Sequence, residues 1–221
     1  MVARNFGMRD KAKDEAEKAV RRQRAMESGF RLFAEKGIDQ VTMPDIAEDS
    51  GVGRPSLYRY FSSKVDLVIA IGTWKWEEYF QEAALRVPEE QLAQMNAREH
   101  LQFYLDSFLD LYRNHRDVVR FNHFFNSYIE NEHATPEQMR PYMQMVEGQI
   151  AGFHDVYQKA MEDSTLRTDV SEMTMVSSVF HIMLAAVTRY AAGLVYVMDG
   201  ANPEDELVLL RNALLREFTA G

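Results

Sequence analysis

"TMPDIAEDSGVGRPSLYRYFSSKVDLVIAI", residues 42–71, decides how the rest of this chain is read. Thr42 offers a hydroxyl to the free N–H groups of a helix start, and Asp45, three residues on, completes a capping-box pattern. Pro44 is tolerated because first-turn N–H groups have no intrahelical partner. The spacing predicts a short helix from Met43 to about Ser50 that buries Ile46 and Ala47 and stops at Gly51. Val52, apolar between two glycines, reads as a turn residue plugged into a core. Arg54, Pro55 and Ser56 open the next helix, with Leu57 and Phe61 four apart and facing inward. Arg54, Ser56, Tyr58, Arg59 and Tyr60 are left outward or flanking. Ser63 caps a further helix through Lys64, Leu67, Ile71 and Trp74 to about Leu85.

Two short helices joined by a Gly-containing turn make a helix-turn-helix pattern. Many helical proteins contain such corners, so the outward chemistry of the second helix carries the weight. Arginine can grip guanine N7 and O6 together, serine bonds to either base edge, and proline can touch a thymine methyl. Tyrosine hydroxyls suit phosphate oxygens, and Lys64 stands at a helix start, where amide dipoles also attract phosphate. A merely solvated helix would leave the exposed aromatics without a purpose.

Charge is divided in the same sense. Residues 1–65 hold 13 Lys+Arg against 10 Asp+Glu, whereas 66–221 hold 12 against 24, for a net charge of −9. A weakly basic head on an acidic body directs any polyanion to the head. Cysteine is absent, which excludes disulfides, thiolate metal sites and thiol nucleophiles, and fits the reducing cytoplasm. The charged beginning "MVARNFGMRDKAKDEAEKAV" lacks the apolar core of a signal peptide. The longest uncharged run, Met173 to Thr188, is shorter than the roughly 20 residues of a membrane span.

Residues 42–71 resemble the DNA-binding signature of the tetracycline-repressor (TetR) family. Thr42, Ile46-Ala47, Gly51-Val52, Leu57-Tyr58, Tyr60-Phe61, Lys64 and Leu67 meet its pattern, and upstream "FAEKG", Phe33 to Gly37, fits the end of its first helix. The resemblance covers about residues 21–71. It implies an all-α fold, with an N-terminal three-helix helix-turn-helix DNA-binding domain followed by a larger helical ligand-binding and dimerisation domain. Residues 1–20 are then a charged arm, 21–66 the DNA-binding domain and 67–221 the ligand-binding and dimerisation domain. By the same resemblance Arg54, Pro55 and Ser56 face bases, with Tyr58 at the edge, while Thr42, Tyr60 and Lys64 match phosphate-contacting positions. Arg59 lies on a less certain side of the helix and is kept as a further candidate. Gly53 stands where the family often has Ser or Thr, and Pro55 where it often has Gly. Both departures bear on which bases are read.

Beyond residue 66, helices are expected over about 97–114, 116–130, 136–163, 170–198 and 203–218, with Pro88, Pro136 and Pro203 marking starts and connections. Residues 1–20 are weakly periodic and read as a frayed, extended or disordered arm, although Arg4, Arg9, Lys11 and Lys13 could reach a minor groove. Aromatic residues recur along the body helices, and core packing accounts for most of them. Phe108, Tyr112, His123, Phe124, Tyr128, Phe153, Tyr157 and His181 are the candidates for lining a small-molecule pocket, because buried hydroxyls and imidazoles need partners. Ala185, Ala186, Ala191, Ala192 and Gly193, beside Val179, Ile182, Leu194 and Val197, would permit close helix contact. Leu207, Leu210, Leu214 and Leu215 follow on the last helix. One fold can bury these internally; the family precedent pairs the last two helices, about 170–198 and 203–218, with their mates in a homodimer.

The reading is therefore a non-enzymatic, ligand-responsive transcriptional regulator, a repressor that binds a palindromic operator as a dimer and is released by a small, largely apolar or aromatic ligand. Double-stranded DNA, a second copy and a small-molecule effector are the expected partners, with no membrane, cofactor or metal. Two alternatives remain open: the same fold acting through a protein partner, and an all-helical enzyme. Against the enzyme, the sequence has no phosphate-binding glycine loop and no HExxH, and its six histidines show no paired metal spacing.

Overall fold

The computed structural model describes residues 3–196 and 201–220. It is helical throughout: α1 (Ala3–Lys36), α2 (Met43–Ser50), α3 (Arg54–Tyr60), α4 (Lys64–Arg86), α5 (Glu89–Gln94), α6 (Ala97–Asn114), α7 (Arg116–Asn131), α8 (Pro136–Asp163), α9 (Glu172–Ala191) and α10 (Pro203–Phe218). Among the described residues the only extended pairing is an isolated bridge between Leu166 and Thr219, which fastens the α8–α9 connection to the end of α10.

Local chemistry sets the boundaries. The Thr42–Asp45 capping box forms, as do two others, Asn96–Glu99 on α6 and Thr135–Gln138 on α8. Such reciprocal caps satisfy N–H groups that a helix leaves free at its start. Gly51 takes φ 65°, a left-handed conformation that ends α2 and turns the chain toward α3. Two boundaries differ from expectation. The first helix starts at Ala3 and runs unbroken into Lys36, because nothing between them stops a helix; the side chains of Arg4, Arg9 and Lys11 lie outside the described residues. The ninth helix closes at Ala191, with Gly193 in the left-handed region at φ 71°, and the expected continuation through 197 and 198 lies outside the described residues.

Two hydrophobic clusters form. In the head, Phe33, Ile38, Ile46, Val52, Leu57 and Leu67 are buried together, and α7 joins them with Phe121, Phe125 and Tyr128. Burying a Leu or Phe side chain contributes about 1.5–3 kcal/mol, so α3, a seven-residue helix, is held largely by Leu57 with Phe61 at its end. Polar ties lock its neighbours: Arg24 Nη2 donates to the Ser50 carbonyl at 2.7 Å, and Ser28 Oγ donates to Asp49 at 2.5 Å. In the body, Leu101, Leu105, Phe153, Met175, Val179, Met183 and Leu207 are buried between α6, α8, α9 and α10. The fourth helix contributes to both clusters, Leu67, Val68 and Ile71 to one and Trp76 and Tyr79 to the other.

Candidate nucleic-acid interface and ligand cavity

The outer face of α3 follows from its anchoring. With Leu57 fully buried, Arg54, Pro55, Tyr58 and Arg59 are exposed, Tyr58 by 50%, and Ser56 is half-buried. Arg59 Nη2 donates to Ser56 Oγ at 3.0 Å, so Arg59 shares the face of a candidate base reader. Tyr60 is half-buried and packs against the head cluster. Thr42 is exposed, but its hydroxyl is engaged with Asp45 in the cap: it accepts from the Asp45 N–H at 3.3 Å and donates to Asp45 Oδ2 at 2.7 Å. Those bonds from Thr42 hold the Asp45 carboxyl below its usual range.

Lys64 sits in the first turn of α4, whose cap is Ser63 accepting from the Asp66 N–H at 3.1 Å. Its ammonium lies 5.0 Å over the Tyr128 ring of α7. Burial lowers the Lys64 pKa from its ordinary value, with Asp39, Glu132 and Asp45 opposing the shift. Asp66, in the same turn, also accepts from Gln138 Nε2 of α8 at 2.9 Å. These two contacts between head and body, like the packing of α7 on the head cluster, join residues far apart in the sequence, here 64 and 72 positions, which spacing could not reveal.

The body forms a partly open cavity of about 410 Å³ between α4, α6, α8 and α9, within the range of small-molecule sites. Trp76, Tyr79 and Phe80 line it from α4, Phe103, Tyr104 and Phe108 from α6, Tyr142 and Met145 from α8, and Val176 and Phe180 from α9. Its polar fixings are Ser107, Gln149, Ser177 and His181; among the described residues no Asp, Glu, Lys or Arg is in the wall. Burial pushes the Tyr142 phenol up to about 12, the Trp76 indole partly offsetting it, and raises Tyr104 for the same chief reason. Tyr79 is raised too, and its hydroxyl donates to the Ser107 carbonyl at 2.6 Å. These three phenols therefore stay neutral across neutral pH.

Of the eight aromatic and histidine candidates, Phe108 and His181 are in this wall. The other six stand elsewhere, each for a packing reason. Phe124 packs over Gly37 at the end of α1, Tyr128 lies beneath Lys64, and His123 sits against Phe124 at 5.3 Å. These three belong to the joint between head and body. Phe153 is fully buried behind Tyr104, at 5.6 Å between rings. Tyr157 donates to the Val170 carbonyl at 2.7 Å and so ties down the α8–α9 connection. Tyr112 holds the Arg116 guanidinium 4.2 Å above its ring. The sequence reading did not name Trp76, Phe80, Tyr104 and Tyr142 for a pocket; the aromatic content of α4 was the available signal for the first two.

The residues read for self-association also divide. Val179, Leu207, Leu214 and Leu215 are buried within the chain, whereas Ile182, Ala185 and Leu194 are exposed, as is Leu209, which that reading did not include. Among the described residues no three His, Cys, Asp or Glu side chains group as metal ligands, and no helix is long and apolar enough to cross a membrane.

The structure thus joins a helix-turn-helix head to a helical body that holds a cavity. Residues 25–71 match the model of the bacterial regulatory proteins of the tetR family, so the head of this chain is of the tetR type. An HTH-type transcriptional regulator of Staphylococcus aureus (strain USA300) is 44% identical over 46 residues, 21% of this chain and 25% of the relative. The match thus spans about a quarter of that relative's length. Over the whole fold, the chain is similar to a putative transcriptional regulator from Saccharomonospora viridis solved with choline, at a TM-score of 0.70 and 16% identity, covering 90% of this chain and 98% of the other. It is also similar to the regulator FadR from Bacillus subtilis solved with stearoyl-CoA, at a TM-score of 0.64 and 17% identity, covering 88% and 95%.

Proposed function

We propose that this protein is a ligand-responsive repressor that binds a palindromic operator as a homodimer. The observation that carries the reading is the exposed α3 face, Arg54, Pro55, Tyr58 and Arg59 with Ser56, on a chain of net charge −9. That face supplies donors and an apolar edge for major-groove base readout, while Thr42, Tyr60 and Lys64 flank it for phosphate. Residues 21–66 act as the reading head and 67–221 as the sensing and pairing body, with α4 crossing the boundary between them. Exposed Ile182 and Ala185 on α9 and Leu209 on α10 support pairing through these two helices. A dimer places two heads on two half-sites, which calls for a palindrome.

The cavity takes the effector. Its neighbours in fold hold molecules as unlike as stearoyl-CoA and choline, so the wall of this chain has to define the class. An aromatic wall with no charged side chain fits a neutral, largely apolar or aromatic molecule with one or two hydrogen-bonding groups, met by Ser107, Gln149, Ser177 or His181. Occupancy lowers operator affinity, and DNA lowers ligand affinity by the same factor. Selection of sites from a randomised duplex pool tests the proposal. A palindrome with half-sites about one helical turn apart or a little more is expected. No enrichment by the folded dimer, free of ligand, overturns it.

A further inference from the structure

The polar groups around the cavity divide by position. Helices α4 and α8 both run away from the head, so later residues on them stand farther from it. Trp76 and Tyr142 therefore lie at the inner end of the cavity, and Ala84 and Gln149 at the outer end. Gln149 is seven residues, about 10 Å of helix, beyond Tyr142. Ala84 and Met173 are exposed and mark the outer end as the mouth. Toward the inner end the hydroxyls have partners inside the protein. Tyr79 donates to the Ser107 carbonyl at 2.6 Å, and Ser107 Oγ donates to the Tyr104 carbonyl at 2.6 Å. The Tyr142 hydroxyl has the Trp76 indole beside it.

The outer end is different. Gln149 of α8 and Ser177 of α9 are half-buried in the wall, and among the described residues neither side chain has a hydrogen-bond partner. They stand level with each other. His154 of α8 meets Glu172 in the first turn of α9 at 3.0 Å, and the chain reverses between the two helices. Gln149 and Ser177 are each five residues, about 7.5 Å of helix, from that pair. Tyr104 reaches the same end from α6. Its hydroxyl lies so close over Gly152 of α8 that a Cβ there would sit 3.0 Å from it, and it too has no partner among the described residues. His181, a turn beyond Ser177, is exposed, so solvent meets its ring.

We propose that Gln149, Ser177 and Tyr104 are the specificity-determining end of the cavity, and that the effector is a neutral molecule with an apolar or aromatic body and a hydroxyl at one end. The body enters toward Trp76 and the hydroxyl stays at the mouth. This deepens the reading of the cavity as the effector site and rests on it. A hydroxyl both donates and accepts, as do the glutamine amide, the serine and the phenol. A hydrocarbon that covers these groups leaves them unpaired, which costs more than an absent bond. A carboxylate or an ammonium loses its water and finds no Lys, Arg, Asp or Glu among the described residues of the wall.

The test uses the full chain and three molecules of one shape, naphthalene, 2-naphthol and 2-naphthoate, each displacing the fluorophore N-phenyl-1-naphthylamine. Leu184→Trp, which fills the cavity from α9, abolishes fluorophore binding if the fluorophore sits there. Gln149→Leu and Ser177→Ala are each expected to weaken 2-naphthol relative to naphthalene by about fivefold or more. Ser107→Ala, which removes a hydroxyl already spent on the Tyr104 carbonyl, is expected to leave that ratio unchanged. In the wild type 2-naphthoate is expected to bind about fivefold or more weakly than 2-naphthol. An unchanged ratio in both Gln149→Leu and Ser177→Ala overturns the inference and leaves the cavity reading standing. So does an equal fall in Ser107→Ala, or a 2-naphthoate that binds as tightly as 2-naphthol. A wild-type chain that does not take the fluorophore into the cavity removes the site reading and the inference together. Should either variant fail to fold, Tyr104→Phe, which removes only a hydroxyl, carries the same comparison. An unchanged ratio in that variant overturns the inference.

Discussion

Replacing Lys64 by Met removes one charge at the edge of the reading face while keeping most of the side-chain stem. In the free protein the ammonium rests 5.0 Å over Tyr128, and burial already works against its charge. A cation–π contact of about 0.5–2 kcal/mol is lost, and the desolvation of the ammonium is relieved, so the two nearly cancel. A net change within ~1 kcal/mol would move the unfolding midpoint by about 2–4 °C at most for a chain of this size. Binding to DNA behaves otherwise. A hydrogen bond to a charged group contributes about 1.5–3 kcal/mol; the lower figure applies because Tyr128 competes for the ammonium. Two heads then lose about 3 kcal/mol, roughly a hundredfold in affinity. One phosphate contact per head also accounts for about 0.9 of the salt slope, so the dimer's slope should flatten by about 1.8. Fluorescence anisotropy with the selected duplex and with unrelated duplexes, at several salt concentrations, measures both effects. The loss should be the same for every sequence, and Lys64→Arg should restore the slope. A loss confined to the selected sequence, or an unchanged slope, would refute the assignment of Lys64 to phosphate.

Arg54→Ala should instead cost about 1–3 kcal/mol on the operator and relax preference at one base pair per half-site, read by binding to single-substituted duplexes. Ile182→Glu, or Leu209→Glu, places a charge on an exposed apolar position of α9 or α10 and should convert the dimer to monomer in sedimentation without loss of helical signal. His100 yields a pH prediction. Both its ring nitrogens are shielded from solvent without a well-formed hydrogen bond, although the Leu92 backbone lies near. Burial first and the Lys159 charge second lower its pKa, with Asp155 and Glu99 opposing. The unfolded chain therefore takes up a proton that the folded chain resists. Stability is full above the ordinary histidine value of about 6.5 and falls as pH drops below it. His100→Leu should flatten that part of the thermal-unfolding profile; an unchanged profile would show that other groups set it.

The head was legible in the sequence because its signals are local. Thr42 and Asp45 are three residues apart, Gly51 ends the helix it follows, and Leu57 with Phe61 fixes which side of α3 faces out. The cavity was not legible, because helical periodicity says that an aromatic residue faces inward without saying what it faces. Phe124 and Tyr128 follow the same spacing as Phe108, yet they close the joint to the head while Phe108 reaches the cavity wall. The leucines of α10 illustrate the same limit: Leu207, Leu214 and Leu215 are buried inside the chain, and Leu209, off the stripe that was singled out, is the exposed one. The extent of α1 turned on an absence. With no breaker between Ala3 and the head, a charged segment that resembled a loose arm continues as helix.

The central claim is that the α3 face reads sequence. The most direct measurement is the ratio of affinities for the selected duplex and for a scrambled duplex of the same length and composition, in one buffer near physiological salt. The account gives a specific reader, for which the ratio lies at about 10³–10⁷. A ratio near one, with both affinities falling alike as salt rises, would contradict it.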